Sequence, residues 1–180
     1  MEQEKFPWYE IVDNTVSILQ GDILLSCPVF IPSPGYYPSI KDDITLSIEV
    51  KEYDIIVMSQ SCDLVQGKID LVLVCPIWPL NEFERKDDFF KGRKGKEALR
   101  QGNVPGYHLL NSCDINGFER DFIVVDFRSV YSIPFPLMKE IKEKQEKRLR
   151  LLPPYREHLS QAFARFFMRV GLPIDIPSFK

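Results

Sequence analysis

Tyr53–Asp63 reads YDIIVMSQSCD, an apolar run of Ile55, Ile56, Val57 and Met58 that stops abruptly in Ser59, Gln60, Ser61, Cys62 and Asp63. A short run rich in β-branched residues and bounded by polar ones is the pattern of a buried strand feeding a loop. This strand is the expected centre of a sheet, and its loop gathers two hydroxyls, an amide, a thiol and a carboxylate. Just upstream, Ile44, Leu46, Ile48 and Val50 alternate with Thr45, Ser47, Glu49 and Lys51. That is the period of a strand with one face on a core, and the two segments are expected to pair as neighbours. Downstream, Ile69 to Ile77 (IDLVLVCPI) is a second nearly all-apolar run, expected to be buried on both faces. Gly21-Asp22 opens a further strand through Ile31, in which Pro28 requires an edge or a bend. Residues 1–20 read as a lead-in beneath it, and Pro32-Ser33-Pro34-Gly35 with Pro38 as a loop.

Beyond the second apolar run the character changes. Residues 81–103 hold Lys91, Arg93, Lys94, Lys96 and Arg100 within ten positions, broken by Gly92 and Gly95. The segment reads as a mobile basic excursion with a short helix around Lys96–Arg100. Either it grips phosphates, releasing their counterions, or it is a solvated insert. Sheet returns at Tyr107–Asn111, which leads through Asn116-Gly117, a strong hairpin dipeptide, into Phe118–Val125 and then Val130–Ile133. Pro134 and Pro136 end it. Leu137–Leu152 is dense in Lys, Glu and Arg at helical spacing and reads as a surface helix. Tyr155–Val170 reads as a second helix with Tyr155, Leu159, Ala162, Phe163, Phe166 and Val170 on one face. Phe167 and Met168 widen that face toward a protein partner or a second copy of the chain.

The bulk composition is ordinary for a soluble domain: 180 residues, 44% hydrophobic and 27% charged. No apolar run approaches the roughly 18 residues that span a bilayer. The acidic opening MEQEKFPWYE has no apolar signal region, so a cytoplasmic protein without a membrane partner is expected. Cys27, Cys62, Cys75 and Cys113 are widely spaced, so no disulfide framework is expected. A zinc site on Cys62, Cys75 and His108 lacks ligand spacing, and no metal or other cofactor is expected. The net charge of −3 conceals a gradient from an acidic first 80 residues to a basic stretch after 138. Such asymmetry marks an acidic or nucleic-acid partner, or two halves that complement one another.

The candidate catalytic residues are Cys62, His108, Asp126 and Arg128. A nucleophilic Cys62 needs His108 as base and Asp63 or Asp126 to orient it; the alternative is a small thiol packed at a strand end. Ser59, Gln60, Ser61 and Asp63 either contact an anion or satisfy backbone groups where the strand ends. Arg93, Lys94, Lys96 and Arg100 complete the anion-binding set. Arg128 has a guanidinium fork suited to phosphate, and it can equally pair with Asp126.

Gly21-Asp22-Ile23, Ile55–Ser59, Leu73–Ile77 and Val124–Val130 occur in an order that resembles the growth-inhibitor ribonuclease toxins of the MazF/Kid type, over about residues 20–133. The resemblance implies an SH3-like barrel, usually dimeric, that binds and cuts single-stranded RNA, with Asp126 and Arg128 at the site. Val124 stands where the Kid branch has a basic residue, Lys51-Glu52-Tyr53-Asp54 replaces a basic approach, and Trp78 replaces a threonine. The expected fold is α+β: a small, strongly bent antiparallel barrel of five to seven strands over 1–136, with the basic insert at 81–103 and a helical extension over 137–180. The leading function is a binding module for nucleic acid or a protein partner within a toxin–antitoxin or defence system. The alternatives are a MazF-like endoribonuclease and a structural subunit docking through its last helix.

Overall fold

The structure, a computed structural model, describes residues 6–32 and 48–168. Its strands are β1 (Tyr9–Asp13), β2 (Asp22–Pro32), β3 (Ile48–Val57), β4 (Leu71–Pro79), β5 (Tyr107–Leu110), β6 (Ile123–Asp126), β7 (Tyr131–Pro134) and β8 (Lys147–Leu151). Its helices are α1 (Ser61–Val65), α2 (Leu80–Lys86), α3 (Arg93–Arg100), α4 (Phe135–Lys144) and α5 (Tyr155–Phe167), with a 3₁₀ turn at Asp88–Lys91. The class is α+β. The strands form one antiparallel sheet in the order β1-β8-β2-β3-β4-β6-β5, and β7 also pairs with β4. This path is open: among the described residues no ladder joins β1 to β5. The Tyr9 hydroxyl instead reaches across, donating to the Asn111 carbonyl just beyond β5 at 2.7 Å.

The apolar run Ile55–Met58 is the centre of this sheet. Ile55, Ile56 and Val57 are wholly buried. Their alternation feeds two cores: Ile56 and Met58 meet Cys75, Phe127 and Leu149, while Ile55 and Val57 meet Leu24, Val72, Val74 and Ile133. Each such side chain contributes roughly 1.5–3 kcal/mol. The expectation of two neighbouring strands is corrected. Ile48 to Val57 is one strand paired to β2, because nothing between Lys51 and Asp54 supplies the φ > 0 residues a tight hairpin needs. Ile44–Ser47 and the loop around Pro34 and Pro38 lie outside the described residues. β4 is also less enclosed than its composition implies, since Leu71 and Leu73 are exposed. Pro28 does sit on the bent strand, past a register shift between Leu24 and Cys27, opposite Glu52 of β3 and beyond the residues that pair with β8.

Two further corrections concern the charged segments. Residues 81–103 are a folded insert, whose Phe83, Phe90 and Leu99 pack with Leu80 on Tyr107 and Val124. Gly95 does not break α3; a Cβ there would stand 2.1 Å from the Phe89 carbonyl oxygen, so the glycine admits the preceding turn. The helix expected over Leu137–Leu152 stops at Lys144, and Lys147–Leu151 is a strand between β1 and β2. Lys, Arg and Leu are good helix formers, but a strand puts Arg148 and Arg150 on one side. There both meet Asp22.

That meeting is an ion cluster closed to water. Asp22, Arg148 and Arg150 are 0%, 1% and 6% exposed. Arg148 Nε donates to Asp22 Oδ2 at 2.7 Å, and Arg150 Nε to Oδ1 at 2.6 Å. Arg148 Nη1 and Nη2 donate to the carbonyls of Asp13, Val16 and Ser17, and Arg150 Nη2 to that of Ser17 and to Asp22 Oδ2. Gly21, beside Asp22, adopts φ +86° and would bring a Cβ to 3.1 Å from that of Leu151. Its N–H donates to Val57 and its carbonyl accepts from Leu151, tying β3 to β8. Among the described residues no helix is long and apolar enough to cross a membrane.

Removing one partner of a buried ion pair leaves charge stranded in the interior, at about 3–5 kcal/mol. Asp22→Ala is expected to lower the unfolding free energy by that amount in urea titration; a loss below about 1 kcal/mol would mean that the cluster is not holding β8 in place.

Candidate binding cleft

β6 and β7 are two halves of a single antiparallel partner for β4. Val125 lies opposite Ile77, and Tyr131 opposite Val74. Between those pairs β4 uses Cys75 and Pro76, whereas its partner uses residues 126–130. The excess is thrown outward as a turn, the kind of interruption that re-aims side chains at a sheet surface. Asp126 shapes it: its carboxylate accepts from the Arg128 N–H at 2.9 Å and from the Ser129 hydroxyl at 3.4 Å.

Around this turn the side chains form an aromatic and charged cluster. Tyr53 on β3 packs edge-on to Trp78 on β4, with ring centroids 5.7 Å apart. Lys86, at the end of α2, lies over the Trp78 ring with Nζ 2.9 Å from its centroid. Lys86 and Asp126 attract one another, Asp126 holds Ser129, and Ser129 acts on Tyr131. Tyr131 stacks on Tyr53 at 5.8 Å. Arg128 stands beside this cluster, 61% exposed at the side chain, with Cζ 4.3 Å from the Tyr107 ring centroid and Nε 3.5 Å from Asp126. Burial pushes the Asp126 carboxyl above the usual range, while the Arg128 N–H, Ser129 and Lys86 pull it part of the way back. Burial also lowers Lys86, against the pull of Asp126 and Glu82. Burial and the Tyr53 phenol raise Tyr131.

The face that carries this cleft extends toward the insert. Strand alternation puts Trp78 and Leu80, Phe122, Val124 and Asp126, and Tyr107 and Leu109 on one side of the β4-β6-β5 region. At its far end Leu80, Leu109 and Phe122 line a pocket of about 400 Å³ with Lys91, Arg93, Lys96, Glu97 and Arg100. Arg93, Lys96 and Arg100, flagged by composition, therefore do converge. Lys94 is exposed and does not line the pocket.

The two hydroxyls of the 59–63 segment are engaged by backbone N–H groups, while Gln60 and Cys62 are exposed. Ser59 Oγ accepts from the Leu73 N–H at 2.8 Å, and Ser61 Oγ from the Gln20 N–H at 3.1 Å. Gln60 donates to Ser160 at 3.4 Å. Cys62 is exposed at the start of α1, with Sγ 3.8 Å from the Asp63 carboxylate. No hydrogen bond or ring contact joins Cys62 to His108, which lies against Phe127 with centroids 6.1 Å apart. Cys62 and His108 are therefore not hydrogen-bonded to one another. Among the described residues no group of three or more His, Cys, Asp and Glu is placed to hold a metal ion. Tyr53, Trp78, Lys86, Ser129 and Tyr131 escaped the sequence reading as site residues. The signal available for Trp78 was its even spacing from Leu80 along an apolar strand. No protein-family model matches the chain, and no curated protein matches it in sequence.

His108 gives a test of this assignment. Burial foremost, then His158 and Arg165, depress its pKa from 6.5 to about 4. The folded state therefore binds fewer protons than the unfolded chain between those values, and stability falls as the pH drops through them, by up to about 3 kcal/mol. His108→Phe, which keeps a ring against Phe127, is expected to remove that portion of the acid limb in denaturation curves at pH 7, 5.5 and 4. An unchanged limb would place His108 in water.

Proposed function

We propose that this protein binds single-stranded nucleic acid across the cleft at residues 126–131. The observation that carries the reading is the cluster around one turn: the rings of Tyr53, Trp78 and Tyr131 with Lys86 over Trp78, and the exposed Arg128 beside them. Aromatic platforms accept unstacked bases of any sequence, and cations beside them follow the phosphates. Lys86 covers Trp78 when no strand is bound and is displaced onto a phosphate when a base arrives. The succession of motifs that resembles the MazF/Kid toxins, from Gly21-Asp22-Ile23 to Val124–Val130, supports the same reading, and with it a view of the sheet as an SH3-like barrel. Docking through α5 is supported less, because Leu159, Phe163 and Phe166 are spent on the chain's own core.

A second reading, cleavage of the bound RNA, is favoured by Asp126. A carboxylate held above its usual pKa and flanked by Lys86 and Arg128 suits a base for a 2′-hydroxyl with cations for the phosphorane charge.

Anisotropy with a labelled pyrimidine octanucleotide tests both. Affinity is expected to fall steeply with salt, Arg128→Ala and Lys86→Ala each lowering the slope by about 1. Trp78→Leu is expected to weaken binding by about 1–3 kcal/mol. Equal affinity for duplex DNA, or indifference to all three variants, would contradict the proposal. If RNA is cut, Asp126→Asn is expected to stop cleavage and preserve binding; intact RNA would remove the second reading alone.

A further inference from the structure

The pocket between α3 and the sheet lies at the other end of the same face, about 13 Å from Asp126 along β6, counting four residues of extended strand from Phe122. Its two walls differ in chemistry. The sheet side is Leu80, Leu109 and Phe122, and Phe122 is 39% exposed. The helix side is Arg93, Lys96, Glu97 and Arg100, whose spacing of three, four and seven puts them on one face of α3, with Lys91 added from the preceding turn.

The cations are not equally engaged. Lys91 pairs with Asp88, Lys96 with Glu84 at 2.7 Å, and Arg100 with Glu97. Glu97 is further held by Gln101, and these bonds depress its carboxyl to about 2, so it stays charged at any ordinary pH. Among the described residues Arg93 makes no hydrogen bond or ion pair, although its field reaches Glu97. The pocket thus presents one uncommitted guanidinium and a second that a carboxylate already occupies, as an anion would.

We infer that this pocket binds a nucleoside phosphate, its base on Phe122, Leu80 and Leu109 and its phosphate on Arg93 and Arg100. Its volume is within the range of small-molecule sites. The depression is open and has a three-residue apolar floor, which covers one face of a flat ring and leaves an aliphatic tail in water. Arginine forks match phosphate oxygens in pairs. Phosphate competes with Glu97 for Arg100, so the carboxylate acts as a brake on binding. The same chemistry is offered by a free nucleotide and by the phosphorylated end of a strand. The inference does not depend on the cleft at Trp78.

Calorimetric titration with adenosine and uridine 5′-monophosphates, and with inorganic phosphate, tests it. A nucleotide is expected to bind at least tenfold tighter than phosphate. Arg93→Ala is expected to weaken it tenfold or more, Glu97→Gln to tighten it several-fold, and Phe122→Ala to erase the advantage over phosphate. Arg85→Ala, in the same insert but away from the pocket, is expected to change nothing. Tighter binding of a 5′-phosphorylated tetranucleotide than of the monophosphates assigns the site to strand ends; parity assigns it to free nucleotides. Affinity no better than that of phosphate, or insensitivity to both Arg93→Ala and Glu97→Gln, would overturn the inference. Loss of nucleotide binding in Trp78→Leu with none in Arg93→Ala would transfer the activity to the cleft, so the two sites fail separately.

Discussion

Asp22 faces two guanidinium groups in an interior from which water is excluded, and the rest of the sheet is arranged to make that possible. Each of the three ions gives up several kcal/mol of hydration, which their attraction returns only with close geometry and with every remaining donor satisfied. Both conditions are met: no buried side-chain polar atom in the described residues lacks a partner. The cluster needs β8 beside β2, the chain between Asp13 and Ser17 folded over it, and Gly21 threaded against Leu151. It therefore selects one strand order among those that would bury the same apolar residues.

With β8 and β2 fixed, β3 lies at the centre and β4 beside it, and the possibilities for surface chemistry narrow. β3 occupies one edge of β4, and the other must be shared by β6 and β7. Residues 126–130 cross there what β4 crosses in two, and the three in excess form the turn beside Asp126. The insert covers the adjoining face but stops short of the junction, so an aromatic and charged patch is left between two cores. Fold and cleft have one cause, the mismatch in length across β4.

How much of this could be read beforehand depended on range. Ile55–Val57 announced itself because a buried strand needs nothing but apolar residues, and α5 because its 3.6-residue stripe runs for three turns. β8 was hidden: Lys-Arg-Leu-Arg-Leu favours a helix locally, and the residue that overrules it lies 126 positions away. The Ser59–Asp63 segment was visible as a break, but its hydroxyls are consumed by the N–H groups of Gln20 and Leu73, which no local pattern discloses. Asp126 and Arg128 were named together, and they do meet. Their companions Tyr53, Trp78, Lys86 and Tyr131 come from four other segments and carry no motif.

The two tryptophans allow the central claim, that the cleft at the β6–β7 junction is the working surface, to be tested in one titration. Trp8 is stacked on Tyr155, 3.6 Å between centroids, as part of the packing of α5, whereas Trp78 is in the cleft. Their indole N–H resonances can be followed while a single-stranded tetranucleotide is added. The account predicts that the Trp78 resonance shifts and saturates while that of Trp8 stays in place. A stationary Trp78 resonance at saturating oligonucleotide would contradict it.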